Sequence, residues 1–529
     1  MSTVEETPVL IIGGGVTGVG LARDLTLRGV PCTIVERRDV NSGASGGNHG
    51  LLHSGCRYVL QDVETAAECM AENELLKRMA AQCIEPTGGL FVAMNGEDLA
   101  HAGRFEEACA ESGIDVCRVA PEEVLEMEPA VGRGVLAAYL TPDAVVDPFR
   151  LAFENLFDAM AHGAKLMCFS PVEAMTVVNG AIREVTLHNP ATGDIQHIRP
   201  RIVVNAAGAW AGKIAHLAGL SLPMVYSKGT LVISHERIAE RVLHRLRPPA
   251  DGDILVPGGT VSIAGTSSLR VEEPDRLLPT TDEVDMLVRE MGVMVPDFVQ
   301  TRLIRAYCGV RPLVGTHAVA DGRSIRRNFV LIDHAREGIH NLVTITGGKL
   351  TTYRLMAERT ADLVCEKLRH AVSCTTGTVP LPEHAACQWS EPGRAPRYWM
   401  KAQQAGDLLL CECEMVPKSA IDCILETLNT QHVPAGLKAI GVRSRIGKGP
   451  CQGAYCSVRI ISHLYDRGWL QGRQGGDELA AFLRERWKGM QAVLWGEQMR
   501  HAELQEAIHC GLFEMEHPHV QARQSTKSG

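Results

Sequence analysis

The chain has 529 residues, of which 45% are apolar and 22% charged, with a formal net charge of -9. That length is too great for one compact core and implies two or three domains of ordinary globular usage. The acidic balance excludes nucleic acid and a polybasic membrane anchor as main partners, so any anionic substrate needs a local cluster of cations. The N-terminus, MSTVEET, lacks the basic start and apolar stretch of a signal peptide. There is no uninterrupted apolar run of the roughly 18 residues that span a bilayer, so an attachment to membrane is expected to be peripheral or through another subunit. The 17 cysteines, mostly scattered singly, read as reduced cytoplasmic thiols, with close pairs read as metal sites.

The first predicted element is a strand, VLII from Val9 to Ile12, running into Gly13-x-Gly15-x-x-Gly18 and a helix with Leu21, Ala22, Leu25 and Leu27. Glycine suits a tight turn, close approach to a pyrophosphate and packing of helix on strand, and the helix N-terminus presents amides to phosphate. A second strand ends at Glu36, 23 residues after Gly13, where a carboxylate can take hydrogen bonds from ribose hydroxyls and repel a 2′-phosphate. These residues alone do not separate FAD from NAD. Two further glycine-rich elements do. The stretch VNSGASGGNHGLLHSGCRY follows Glu36, and NLVTITGGKLTTYR places Gly347 and Gly348 between a strand and a long amphipathic helix. Between them, RIVVNAAGAWAG gives a short buried strand ending in small residues. Glycine-rich elements so far apart suit a long FAD better than NAD held in one compact unit.

From about residue 370 the texture changes, with Pro380, Pro382, Pro392 and Pro396 and few periodic apolar residues, which reads as a linker. Beyond it lie Cys411-x-Cys413 and Cys451-x4-Cys456. Alternate residues of an extended chain face one side, so both thiols of the first pair can reach one iron. The second pair sits on a glycine turn entering an apolar helix, whose amides favour an anionic cluster. Four thiolates in two pairs suit zinc or a [2Fe-2S] cluster. Their spacing resembles the small bacterioferritin-associated-ferredoxin-like domain, which holds [2Fe-2S]. The closing segment, DELAAFLRERWKGMQAVLWGEQMRHAELQEAIHCGLF, has helical spacing, for helices packed on the catalytic domain or presented to another subunit. The tail from Glu514 is expected to be disordered.

GGGVTG, HSGCRY, NAAG, YCGVRPL and ITGGKLTTYR stand in the same order over the first 370 residues or so as in the FAD-dependent glycerol-3-phosphate dehydrogenases. The chain resembles that family, within the D-amino-acid-oxidase-like flavoproteins, and its cysteine segment resembles the anaerobic, A-subunit type. The resemblance implies an α/β fold: a Rossmann-like FAD domain with an antiparallel substrate-binding sheet, a small C-terminal iron-sulfur domain and a helical tail. The expected boundaries are 1–370 for the oxidoreductase, 371–405 for the linker, 406–465 for the [2Fe-2S] domain and 466–529 for the helical end. It assigns Gly13, Gly15, Gly18, Glu36, Arg37, Ser45, His49, Ala207, Gly208, Gly347, Gly348 and Leu350 to FAD, and Cys411, Cys413, Cys451 and Cys456 to the cluster. Arg57, Arg311 and Lys349 fall around the substrate phosphate and hydroxyls, where an Arg fork fits phosphate and Lys supplies a point charge. His53 and Tyr58 match positions near the flavin. His53 is the candidate base for the C2 hydroxyl proton, or else a histidine that only hydrogen-bonds flavin or backbone. The implied reaction is oxidation of glycerol 3-phosphate to dihydroxyacetone phosphate, with electrons passing to partner subunits B and C and so to membrane quinone. The implied location is cytoplasmic, peripheral on the inner face of the cell membrane. The alternative readings are a subunit of a flavin-dependent amine or hydroxy-acid dehydrogenase and a zinc-stabilised non-enzymatic redox scaffold.

Overall fold

A computed structural model describes residues 4–190, 192–275, 277–315, 328–390, 393, 397–511, 513 and 515. Its first layer is a mixed, mainly parallel sheet built on the strand Val4–Ile12, which pairs with Cys32–Val35 on one side and Ile195–Asn205 on the other. Lys165–Met167 extends the first edge, and Leu342–Gly347 joins the second in parallel, followed by antiparallel Phe329–Asp333. Val9, Leu10 and Ile11 are fully buried, because helices or strands cover both faces of such a sheet. The helices Val16–Leu27, Pro148–Ala161 and Tyr353–Leu368 close one face through Val19, Leu25, Phe153, Leu156 and Val364. On the other, Leu10 and Ile12 meet Ile182, Val185 and Ile198 beneath the hairpin Val172–Val178 and Ala181–His188.

The second layer is a sheet of nine strands among the described residues. Its long pair, Met224–Ser234 against Leu303–Val314, runs in register from Met224 opposite Val314 to Ile233 opposite Arg305. Among the described residues the expected antiparallel pattern holds with one exception: Val242–Arg245 lies parallel to Gly89–Ala93. Those two strands are far apart in sequence, so their connection is a crossover and not a hairpin. The helix Thr281–Met294 starts in a capping box between Thr280 and Glu283 and buries Val284, Leu287 and Met291 against this sheet.

The C-terminal third adds a two-stranded ribbon, Leu409–Cys411 with Val416–Pro417. Helices Lys418–Thr430, Leu437–Arg443, Cys456–Asp466 and Gln474–Met490 pack around Ile421, Leu425, Ile440, Ile460 and Leu464. This unit docks on both layers. Arg443 pairs with Asp39 at 2.7 Å, both side chains 2% exposed, and lies over the Phe153 ring. Arg445 bonds Gly258 O at 3.2 Å, and Thr260 bonds Glu414 at 3.0 Å. The proline-containing stretch before it is also packed: Leu381, Ala386, Cys387 and Trp389 are buried, and Glu154 accepts the His384 N–H at 2.7 Å. Pro392, Pro396 and the tail expected to be disordered, apart from Met515, lie outside the described residues.

Candidate active site

Where the two large layers meet there is a cavity of about 530 Å3, within the usual range for ligand sites. At one end the glycine turn closes the strand Val4–Ile12 onto its helix. Gly13 has φ +122°, and a Cβ there would lie 2.5 Å from Ala206 O. A Cβ on Gly18 would lie 2.0 Å from Gly13 O. Gly18 therefore packs helix on strand and does not line the cavity, whereas Gly15 faces it. Ser45 takes the Val16 N–H at 3.0 Å, so one first-turn donor is satisfied by the chain itself. The Glu36 carboxylate accepts from Gly14 N at 2.8 Å and Arg38 N at 2.9 Å. Burial raises its pKa against the opposing pull of these two bonds, and the bonds fix its orientation at the cavity wall. Arg37 stacks on Trp210 at 4.0 Å and pairs with Asp275 at 2.9 Å, closing that end.

Ala207, Gly208, Gly347, Gly348, Leu350 and His49 line the same cavity. Gly347 and Gly348 have φ of +83° and +69°, a left-handed turn natural to glycine, and this turn delivers Lys349. With a ready pyrophosphate turn, a ribose acceptor and a glycine cradle, these residues fit an FAD.

At the other end stand Arg57, Tyr58, Arg311, Lys349 and His53, all lining the cavity. The Lys349 ammonium lies over the Tyr58 ring at 4.5 Å. Arg57 has its Nη2 on Asp253 at 3.0 Å, while its buried Nη1 has no hydrogen-bond partner. Arg311 is held differently. Its Nη1 donates to Ser227 Oγ and Ser267 O, both at 3.2 Å, and its Nη2 donates to Thr266 Oγ1 and Ser267 O. Arg311 is thus a fixed charge locked into the sheet, and Arg57 carries the spare donor. Burial pulls the His53 and His49 imidazoles down, His53 well below the usual range and His49 to about 3, so both are neutral at physiological pH. The His53 ring lies 5.4 Å from Tyr58 and 6.0 Å from His49. Its backbone is anchored by Thr351 Oγ1 at 3.0 Å, and that of Ser54 by Asp143 at 2.7 Å.

Residues 8–363 match the family described as FAD dependent oxidoreductase. The chain is 40% identical to the A subunit of the anaerobic glycerol-3-phosphate dehydrogenase of Escherichia coli (strain K12), over 97% of this chain and 98% of that one. It is 38% identical to the corresponding A subunit of Haemophilus influenzae, over 99% and 96%. The chain belongs to the FAD-dependent oxidoreductases, in the family of anaerobic glycerol-3-phosphate dehydrogenase A subunits. The fold likewise matches the crystal structure of the glycerol-3-phosphate dehydrogenase from Bacillus halodurans complexed with FAD, with TM-score 0.59 and 18% identity over 96% of this chain and 95% of that one.

In this member of the family the four expected cysteines come together from two segments. Cys411 Sγ lies 3.7 Å from Cys413 Sγ, which lies 3.6 Å from Cys451 Sγ. Cys413 and then Cys456 stabilise the Cys451 thiolate, helped by the backbone N–H groups of Gly453 and Tyr455, so its pKa falls while those of the other three thiols rise. Among the described residues no set of three or more Cys, His, Asp or Glu side chains is spaced as a ready metal site; these sulfurs rest against one another. The cysteine-bearing unit also packs against the helix beside the Gly-Ser loop. Phe149 packs 3.2 Å from where a Gly46 Cβ would stand, and Lys448, three residues before Cys451, lies 3.9 Å from the Phe149 ring centroid.

Sequence reasoning missed several residues. Gly229 leaves room for the Arg311 guanidinium, since a Cβ there would meet Arg311 Nη2 at 2.7 Å. Gly309, inside YCGVRPL, lets the strand of Arg311 cross the Gly-Ser loop, where a Cβ would fall 2.1 Å from Gly47 O. Trp210 and Asp253 gave no local signal, because their partners Arg37 and Arg57 are distant in sequence.

Proposed function

We propose that this chain oxidises sn-glycerol 3-phosphate to dihydroxyacetone phosphate and passes the electrons to partner subunits. The observation that carries this reading is one cavity joining a dinucleotide cradle to a cationic end in which Arg57 Nη1 is buried without a partner. Arg57 and Lys349 hold the substrate phosphate, with Arg311 as the fixed charge behind them. Binding energy at this non-reacting group positions C2. His53, neutral at physiological pH, takes the proton of the C2 hydroxyl as the C2–H bond breaks. Tyr58 packs beneath the Lys349 ammonium and keeps it directed at the substrate. The glycine turn, Glu36 and the 347–350 turn would hold FAD, which would supply the hydride acceptor.

Cys411, Cys413, Cys451 and Cys456 would hold a [2Fe-2S] cluster. Supporting this are the convergence of four sulfurs and the Gly453 and Tyr455 amides facing Cys451, a donor set suited to a thiolate-bound iron centre. A cluster there would supply one-electron chemistry, for delivery to partner subunits B and C and so to membrane quinone. No helix among the described residues is long and apolar enough to cross a membrane. In this reading the chain lies peripherally on the inner face of the membrane through those subunits. The test is a split phenotype. Cys451→Ser combined with Cys456→Ser should lose iron and the paramagnetic signal on reduction, yet still reduce a small dye with glycerol 3-phosphate; quinone-linked activity should fail. Zinc in place of iron in anaerobically prepared protein, or undiminished quinone-linked activity in the variant, contradicts the cluster reading. Absence of dye reduction by wild-type protein with glycerol 3-phosphate contradicts the substrate reading.

A further inference from the structure

Behind Arg57, away from the substrate cavity, lies a second recess of about 190 Å3. Arg57, Arg104, Arg247 and His101 contribute its polar wall, Phe105 and Leu246 part of its apolar floor, and none of the described residues lining it is acidic. The negative charge nearby sits outside the wall and is already engaged. Asp253 bonds both Arg57, at 3.0 Å, and Arg247, at 2.7 Å, and Glu290 bonds Arg247 at 3.1 Å. Arg104, exposed on the helix Gly96–Glu111, is left over as positive charge at the mouth. The Arg57 side chain is only 9% exposed, and its Nη1 is buried without a partner. A buried cationic donor in that state calls for an anion.

We propose that this recess binds a small phosphate dianion and that the site is coupled to the substrate cavity through Arg57. Arg57 lines both cavities, yet its guanidinium has one unsatisfied donor group to offer. An anion in the recess draws on that donor and on the Arg57 charge, so the substrate phosphate is held less firmly. Because the two anions occupy different cavities, both can be bound at once, and the antagonism has a ceiling. Coupling between linked sites is commonly about fivefold or more. Inorganic phosphate is one source of the dianion, and excess substrate binding at the second place is the other.

The kinetic part rests on the proposed assignment of Arg57 to the substrate phosphate; a binding measurement does not. FAD-loaded protein is titrated calorimetrically with inorganic phosphate at constant ionic strength, as wild type and as Arg104→Ala. Wild type should show a binding event that Arg104→Ala lacks and Arg104→Lys partly restores. With glycerol 3-phosphate as varied substrate, phosphate should raise KM about fivefold to a plateau at unchanged kcat, and the plateau component should vanish in Arg104→Ala. High substrate should inhibit wild type but not Arg104→Ala if the recess also takes the substrate phosphate; absence of that inhibition leaves inorganic phosphate as the source. Identical calorimetric titrations of wild type and Arg104→Ala overturn the proposal. So does a KM that climbs without limit, equally in both proteins, since that is simple competition in the substrate cavity. If glycerol 3-phosphate is not oxidised at all, the calorimetric comparison alone decides the recess.

Discussion

Replacing Arg57 with Ala separates phosphate recognition from everything else the site does. The change removes the guanidinium whose Nη1 is buried and unpartnered. It does not strand the buried carboxylate beneath, because Asp253 keeps Arg247 at 2.7 Å and the Ala250 N–H at 2.5 Å. The fold should therefore hold, with a melting temperature close to wild type. The substrate loses a charge-assisted hydrogen bond to its phosphate, worth about 1.5–3 kcal/mol. At about 1.4 kcal/mol per factor of ten, kcat/KM for glycerol 3-phosphate should fall roughly 10- to 150-fold. Arg57→Lys keeps the charge without the fork and should fall between the two. The assay is dye-linked turnover on glycerol 3-phosphate and on glycerol, which lacks the phosphate. Glycerol turnover should change little. An equal loss on both substrates, or a loss under twofold on glycerol 3-phosphate, would refute the reasoning and leave Arg57 as a purely structural partner of Asp253.

Three other outcomes follow from the geometry. Gly15→Val should fold but lose FAD, because its side chain enters the cavity against Ser45, whereas Gly18→Ala should compromise folding itself, its Cβ falling 2.0 Å from Gly13 O; cofactor content and thermal melts distinguish them. Asp39→Ala leaves Arg443 buried without its carboxylate, which should cost about 3–5 kcal/mol and make the cysteine-bearing unit more susceptible to limited proteolysis than the first layer. The folded pKa of His53 lies well below its ordinary value, so the acid limb of kcat/KM should lie below about pH 6.5, and His53→Gln should lower kcat more than it raises KM. The same depression means that the unfolded chain gains the proton first, so the His53 contribution to stability is lost as the pH falls below about 6.5.

The geometry of the glycine turn was legible because it is local. Gly13, Gly15, Gly18 and Glu36 lie within one strand-turn-helix-strand unit, and their spacing carries the geometry. The parallel sheet could be read for the same reason. Arg57 and Arg311 were legible as cations in glycine-flanked settings, but not as different kinds of cation. That difference comes from Asp253, Ser227, Thr266 and Ser267, brought in by strands far along the chain. The parallel pairing of Val242–Arg245 with Gly89–Ala93 escaped for a similar reason, since alternation of apolar residues does not report strand direction. Nor did the prolines after residue 379 reveal that Leu381 and Trp389 would be buried: proline marks a break in periodicity, not exposure.

The central claim is that one cavity places glycerol 3-phosphate against a bound FAD. Its most direct test is an anaerobic titration of the FAD-loaded chain, without partner subunits, followed by the visible absorption of the flavin. Stoichiometric bleaching by glycerol 3-phosphate, with far weaker bleaching by glycerol and none by amino acids or α-hydroxy acids, is the predicted result. A flavin that stays oxidised at saturating glycerol 3-phosphate, or that is bleached as readily by an amino acid or an α-hydroxy acid, would contradict it.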